Sequence, residues 1–400
     1  MLHALASLIL LAPVALPAFS LGEGLDWPCW RGPERDGVSR ESGWSSTGKE
    51  ADLWRVDVGL GYSSVAVANG RLVTKGFDRD AEMDVVRCLD PLTGEELWSH
   101  AHPSKLWDTM HEGGTLSTPV IDGERVFVLS RLGIFWCLDA ATGEVIFERK
   151  LVEDEEGLGT FGLAASPLVL ADEVVLNPGR TMALDKKSGK TLWETKDYGY
   201  SYAVPAPFEF EGRTLLAVFN GSGLAVLDPK DGAELALHPW TSEYNVNSAT
   251  PVVIGRRLFL STGYNAKGCA LLEFTGKALE VLWENKEMNS NMNGCVLLDG
   301  HLYGFDDAVL KCMTVDGDVR WAERGLGKGT VVASDGRLIV LSEKGELLVA
   351  PATPKGFEPA SRAKLFDEGV CWTTPVLSHG IVYCRNNRGQ LVARDHRAAQ

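Results

Sequence analysis

One eleven-residue stretch constrains this chain more than any other, because the chain keeps rewriting it: Cys88-Leu89-Asp90-Pro91-Leu92-Thr93-Gly94-Glu95-Glu96-Leu97-Trp98. A second copy reads Ala183-Leu184-Asp185-Lys186-Lys187-Ser188-Gly189-Lys190-Thr191-Leu192-Trp193. Each copy is a strand end, a tight turn and the start of another strand. The Asp can accept hydrogen bonds from turn N–H groups, and the Gly can take a positive φ without steric cost. The Trp that follows is large enough to need a partner surface. Repetition of such a unit defines a repeat architecture before any single motif does.

The copies can be followed from end to end. The first runs from Tyr62 to Trp98, the second from Ser117 through Asp139 and Gly143 to Phe147, and the third from Ala165 to Trp193. The fourth spans 203–237, the fifth ends at Trp283, the sixth at Trp321, and the seventh runs from Gly329 to Phe366. The eighth begins at Trp372 and stops at Asp395, with no aromatic strand left to follow. The missing strand is found near the start, where Asp52 to Val58 reads as a strand with Trp54 in the signature position. An N-terminal strand that completes the last copy closes a ring and removes the exposed sheet edge of an open array. Aromatic-to-aromatic spacing of about 45 residues suits four short strands per unit, the period of propeller blades. Period-two alternation with hairpin glycines excludes helical repeats. The expected fold is all-β, an eight-bladed β-propeller of four-stranded blades spanning 52–396. Trp54, Trp98, Phe147, Trp193, Trp283, Trp321 and Phe366 are its blade-to-blade docking residues.

Around this body lie three smaller segments. The apolar run from Leu8 to Leu16, followed by Ala18 and Ser20, reads as a secretory signal over 1–20, although its start lacks Lys and Arg. An uncleaved anchor is the rival reading. Residues 21–51, opening with Trp27-Pro28-Cys29-Trp30-Arg31-Gly32-Pro33, lack strand alternation and read as an irregular arm whose tryptophans cover a surface. Residues 397–400 are a tail. An exported chain is expected in the periplasm or cell envelope, and no later run is long enough to span a bilayer.

The formal net charge of −15 and the absence of a basic stretch exclude nucleic acid as a partner. The eight cysteines do not read as a disulfide framework. Cys88, Cys137 and Cys312 stand where Ala183 and Ala393 stand, which marks a small buried packing site. Cys29, Cys371 and Cys384 are left unassigned, with one disulfide among them still open. No C-x-x-C pair supports zinc.

The pattern (Ala/Cys)-x-Asp-x-x-(Thr/Ser)-Gly-x-x-x-Trp resembles the tryptophan-docking motif of the pyrrolo-quinoline quinone (PQQ)-like β-propeller repeat family. That family includes quinoprotein alcohol dehydrogenases and the outer-membrane assembly lipoprotein of the β-barrel machinery. The opening Trp-Pro-x-Trp-Arg-Gly-Pro resembles exported stand-alone bacterial propellers of the same family. For the dehydrogenases the resemblance implies PQQ over calcium, an Asp base and an adjacent Cys-Cys disulfide. This sequence has no Cys-Cys pair, and no Asp falls on a matching motif, so no catalytic residue is carried over.

Function must then sit in what the signature does not repeat. In a four-strand meander, loops from outer to inner strands converge on one face of the disc. These carry Tyr62, His111, Glu112, Tyr200, Tyr202, Tyr244, Asn245, Asn247, Asn291, Lys328 and Trp372. A concave mouth lined by aromatic and amide groups is a binding site in waiting. The bland alternative is that these groups only satisfy loop backbone. The acidic run Asp78 to Asp84 reads as a solvated hairpin: Met83 and Leu89 stand where a calcium loop needs Gly and Glu. The chain therefore reads as a non-catalytic monomer without a cofactor, binding an envelope protein segment or a small ligand at the mouth. The alternative is a PQQ-dependent oxidoreductase with calcium.

Overall fold

The computed structural model describes residues 25–108, 111–153, 158–200 and 202–398. The signal reading over 1–20, the first residues of the arm and the last two residues lie outside this range.

Eight sheets form the body, seven of four strands and one of five. Each blade is an antiparallel meander whose first strand is innermost and whose fourth is outermost. Seven blades use contiguous chain, beginning with Ala66–Ala68, Arg71–Asp78, Met83–Leu89 and Glu96–Pro103 in blade 1. Blade 8 takes Val376–Ser378, Ile381–Arg385 and Gln390–Asp395 from the end of the chain and Asp52–Asp57 from the beginning. Trp54 there lies opposite Ala393. The ring is an all-β, eight-bladed propeller closed by its N-terminal strand.

The signature explains how neighbouring blades hold together. In four of these copies the aromatic residue lies opposite a small one on the adjacent strand: Trp98 with Cys88, Phe147 with Cys137, Trp193 with Ala183, Trp321 with Cys312; Trp283 lies opposite Leu271 instead. The small residues are fully buried. Each Trp then reaches across to the next blade's turn. Trp54 Nε1 donates to Pro91 O at 3.0 Å, Trp98 to Ala140 O at 3.0 Å, and Trp193 to Pro229 O at 2.6 Å. Trp283 donates to Val315 O at 3.0 Å and Trp321 to Thr353 O at 2.7 Å. The turn glycines receive the rings: a Cβ at Gly143 would lie 2.5 Å from Trp98, and one at Gly232 2.5 Å from Trp193. Phe147 covers Gly189 in the same way without an N–H to give. Phe366 differs. It lies past the end of Ser361–Lys364 and fills the core between blades 7 and 8, under the Arg55 guanidinium.

The second half of the arm does cover a surface, Trp44 packing on the hairpin side of blades 7 and 8 against Ser334, Arg337 and His396. The first half, to Glu41, does not. It threads the axis of the ring. Trp27 bridges Val67 of blade 1, Pro28 O accepts from Ile121 N of blade 2, and Arg35 donates to Val169 O of blade 3. Trp30 packs on the core shared by blades 3 and 4, and its Nε1 reaches Thr250 of blade 5. Arg31 donates to Gly294 O and Cys295 O of blade 6. Val38–Ser39 adds a fifth, parallel strand inside blade 7, and Leu25 O and Glu41 take hydrogen bonds from blade 8. Only a segment on the axis can meet the inner strands of all these blades. Trp27 runs antiparallel to its partner and Val38–Ser39 parallel, so the arm rises toward the loop face, turns at Gly32–Gly37, and returns.

All eight cysteines are buried and free, the three unassigned ones included.

Candidate functional site

Inner strands begin on the loop face, and here the repeated Ser/Thr-Pro starts show their purpose. Thr118 Oγ1 accepts from Ser64 N, Ser166 Oγ from Thr118 N, and Ser64 Oγ donates to Thr374 O. Thr374 Oγ1 donates to Asn293 Oδ1, and Asn293 Nδ2 to Trp372 O. These bonds form a partial belt that links blades 3, 2, 1, 8 and 6 along one side of the mouth. The hydroxyls and amides of these strand starts are therefore committed to positioning loops.

Inside the belt lies a cavity of about 310 Å³. Its walls are aromatic. Tyr62 stacks on Trp372 with centroids 5.5 Å apart at 19°, and meets His111 edge-on at 4.9 Å. His111 lies parallel to Phe161 at 6.0 Å, and Phe161 meets Tyr202 edge-on at 5.5 Å. Tyr264 and Val204 complete the wall, and Trp30 of the arm forms the floor. Below Trp30 the arm fills the channel, with Trp27 only 2% exposed. The mouth is blind.

Six of the residues singled out from sequence line this cavity: Tyr62, His111, Tyr202, Asn291, Lys328 and Trp372. The other five do not. Glu112 turns to the rim, where it accepts from Asn387 Nδ2 at 2.8 Å and pairs with Arg388 at 3.5 Å. This separates it from His111, so the two form no acid–base pair. Asn247 is fully buried and holds Asn220 O, Trp240 O and Thr262 Oγ1. Tyr200 packs over Gly159. Tyr244 and Asn245 sit in left-handed conformations on an exposed turn, Tyr244 being 72% exposed. Tyr264 was missed because turns between second and third strands also open on this face, and only outer-to-inner loops had been considered. Phe161 and Val204 are in such loops but carry no polar group. Trp30 carried no local sign that it reaches the axis.

The electrostatics are quiet. Among the described residues the lining holds no carboxylate and one cation, Lys328, which is paired with Asp307 at 3.1 Å. Burial, with the Arg131 charge nearby, pushes His111 down to about 4, so its ring is neutral at pH 7. His111 Nδ1 accepts from Gly113 N at 3.1 Å, which leaves the proton on Nε2. Burial pushes the Tyr202 phenol up to about 12 and raises Tyr62 and Tyr264 as well, so all three stay protonated. Among the described residues no three His, Cys, Asp or Glu side chains converge as a metal site.

A closed eight-bladed propeller with a single aromatic mouth over a plugged channel is the class these features define. The chain belongs to the PQQ-like β-propeller repeat family: the family model described as outer membrane protein assembly factor BamB matches residues 82–323. It is similar to outer membrane protein assembly factor BamB of Yersinia pestis, 23% identical over 358 residues, which cover 83% of this chain and 86% of that protein. A shorter match links it to quinoprotein alcohol dehydrogenase PedH of Pseudomonas putida, 30% identical over 97 residues, or 24% of this chain and 15% of that one. Among solved structures, BamB from Moraxella catarrhalis aligns with a TM-score of 0.62 at 17% identity, covering 88% of this chain and 99% of its own. The quinohemoprotein alcohol dehydrogenase of Comamonas testosteroni aligns with a TM-score of 0.68 at 12% identity, covering 96% and 82%. At these identities the structural likeness concerns the fold alone. No helix among the described residues is long and apolar enough to cross a membrane.

Proposed function

We propose that this protein is a non-catalytic binding propeller that works as a monomer in the periplasm or cell envelope, exported by residues 1–20. It takes a protein segment or small ligand into its mouth. The observation that carries the reading is the blind aromatic cavity, most of whose polar groups are engaged in holding its loops. Such a cavity offers burial and shape, and its described lining residues include no carboxylate, no thiol and no converging charges. Similarity to assembly factors over most of both chains supports a scaffold role. Fold alone would not, since propellers host many functions.

The rival is quinone-dependent oxidation. A polyanionic quinone with calcium would need several cations and a carboxylate among its neighbours, and among the described residues the lining provides Lys328 alone. The described residues do not fit that group. Purified protein mixed with PQQ and calcium is expected to give no absorbance change and no dye reduction with alcohols or sugars; turnover would restore the rival. The binding reading is tested by placing a photo-crosslinking residue at Asn291, on the mouth, and at Gly255, on the opposite face. Adducts in native envelope are expected from the mouth position only, and are lost in Tyr202→Ala and Trp372→Ala. Adducts that ignore both substitutions would overturn it.

A further inference from the structure

The mouth has a floor, and the floor comes from outside the repeats. Of the described arm residues only Trp30 lines the cavity. Its place is fixed on both sides. The Cys29 thiol donates to Gly32 O, and Arg31 is almost wholly buried, donating to four carbonyls: Arg35, Asp36, Gly294 and Cys295. Trp30 itself donates from Nε1 to Thr250 Oγ1 at 3.3 Å. A ligand entering from the loop face therefore stops on an indole ring.

We propose that Trp30 is the specificity-determining floor of the mouth, and that the group it selects is an uncharged planar ring. This rests on the binding reading given above. The walls present faces and edges of Tyr62, Trp372, His111, Phe161 and Tyr202, which favour a flat ring in offset or edge-on contact. An anion would lose its hydration here and find no free counter-charge among the described residues, because Lys328 is held by Asp307. A cation would draw on the ring faces, and choline is the probe that separates it from a neutral ring. A sugar would bring several hydroxyls into a cavity whose belt hydroxyls and amides are engaged, and unpaired buried hydroxyls are costly. A ring with a single acceptor suits better, since His111 Nε2–H and the Tyr264 hydroxyl face the cavity without partners among the described residues. The same ring chemistry can come from a free aromatic molecule or from an aromatic side chain of a peptide.

The experiment measures binding of indole, N-acetyl-tryptophanamide, glucose and choline to the full chain by ligand-observed NMR. Indole is expected to bind, and glucose and choline are not. Binding of N-acetyl-tryptophanamide as well assigns the ring to a peptide side chain; indole alone assigns it to a free molecule. Trp30→Ala should weaken indole roughly tenfold, the order expected for loss of one ring-to-ring contact, and Trp30→Phe should restore most of it. Alkylation of Cys29, followed by mass spectrometry, checks that the arm stays docked. Should Trp30→Ala expose Cys29, Trp30→Leu takes its place under the same criterion. Indole that binds Trp30→Ala as tightly as wild type would overturn the floor while leaving the mouth reading intact. Glucose or choline binding in place of indole, or no ring probe binding while Trp372→Ala still abolishes crosslinking, would overturn the ring. Crosslinking indifferent to Trp372 would instead remove the mouth reading itself.

Discussion

At the scale of single residues, the docking tryptophan does two things with one side chain. Trp193 buries its ring between blades over Gly232 and satisfies the Pro229 carbonyl of the next turn. Truncation to Ala leaves a cavity and an unpaired carbonyl, so Trp193→Ala should cost about 3–5 kcal/mol. Trp193→Phe keeps most of the ring and should cost about 1 kcal/mol for the hydrogen bond. Denaturant midpoints of the two variants check the order; equal costs would mean the hydrogen bond, not the ring, carries the contact. His102 makes a second prediction. Burial, aided by Lys75 and His100, pushes it down to about 3 even with the Asp84 carboxylate 3.7 Å from Nε2, burial raising Asp84 toward its own neutral form. The His102 ring packs on Trp136 at 4.3 Å. Its unfolded value is about 6.5, so below that pH the unfolded chain takes up a proton that the folded chain refuses. The stability is whole above pH ~6.5 and falls as pH drops toward the folded value. His102→Gln should therefore flatten the fall of Tm between pH ~6.5 and ~4. An unchanged slope would show that other groups set the acid response.

At the scale of elements, legibility followed the distance between partners in sequence. The signature turn is local: Asp90 Oδ1 accepts from Leu92 N and Thr93 N, and Gly94 has φ +75°. The same geometry holds Asp139 and Asp185 below the usual carboxylate range through turn N–H and hydroxyl donors. All its parts lie within a few residues, so blades and docking residues could be read from the chain. The closing strand could be read through Trp54 in the signature position even though its partner strand is remote. The arm could not, because its partners are remote. Arg31 meets Gly294 and Cys295, and Glu41 meets His379 N and Gly380 N at 2.7 Å, with no periodicity to announce either. The mouth was half legible for the same reason: polar residues of the outer-to-inner loops stood out, whereas Phe161, Val204 and Trp30 look like ordinary apolar positions, and Tyr264 sits on a turn between second and third strands, until the ring brings them together. Removing the arm's central anchor tests its docking. Arg31→Ala leaves buried carbonyls without donors and should cost on the order of 2–4 kcal/mol. It should also open Cys29, whose thiol burial now pushes up to about 11, to alkylation in otherwise folded protein. A Cys29 that stays unreactive would mean that the tryptophans hold the arm unaided.

At the scale of the whole molecule, closure decides how the repeats behave. An open array of repeats unfolds piecemeal, because each unit contacts only its neighbours. Here residues 25–57 bind the ring to itself twice over. They supply the outer strand of blade 8, with Trp54 docked on blade 1, and they run an axle past the inner strands, with Leu25 bonded to Ser378 353 positions away. Arg394 adds bonds to Lys49 O, Glu50 O and Asp52 at the seam. Contacts that span the chain must be made or lost together, so unfolding should be one transition despite the eight-fold repetition. Tryptophan fluorescence and far-UV circular dichroism, followed through the same denaturant series, are expected to coincide for the full chain. Deleting residues 25–58 leaves Gln390–Asp395 as an unpaired edge and empties the axis. That variant should unfold with separated transitions and associate through the open edge, read as larger species in size-exclusion chromatography. Coincident transitions and a monomer after the deletion would mean that blade-to-blade docking closes the ring without the N-terminal segment.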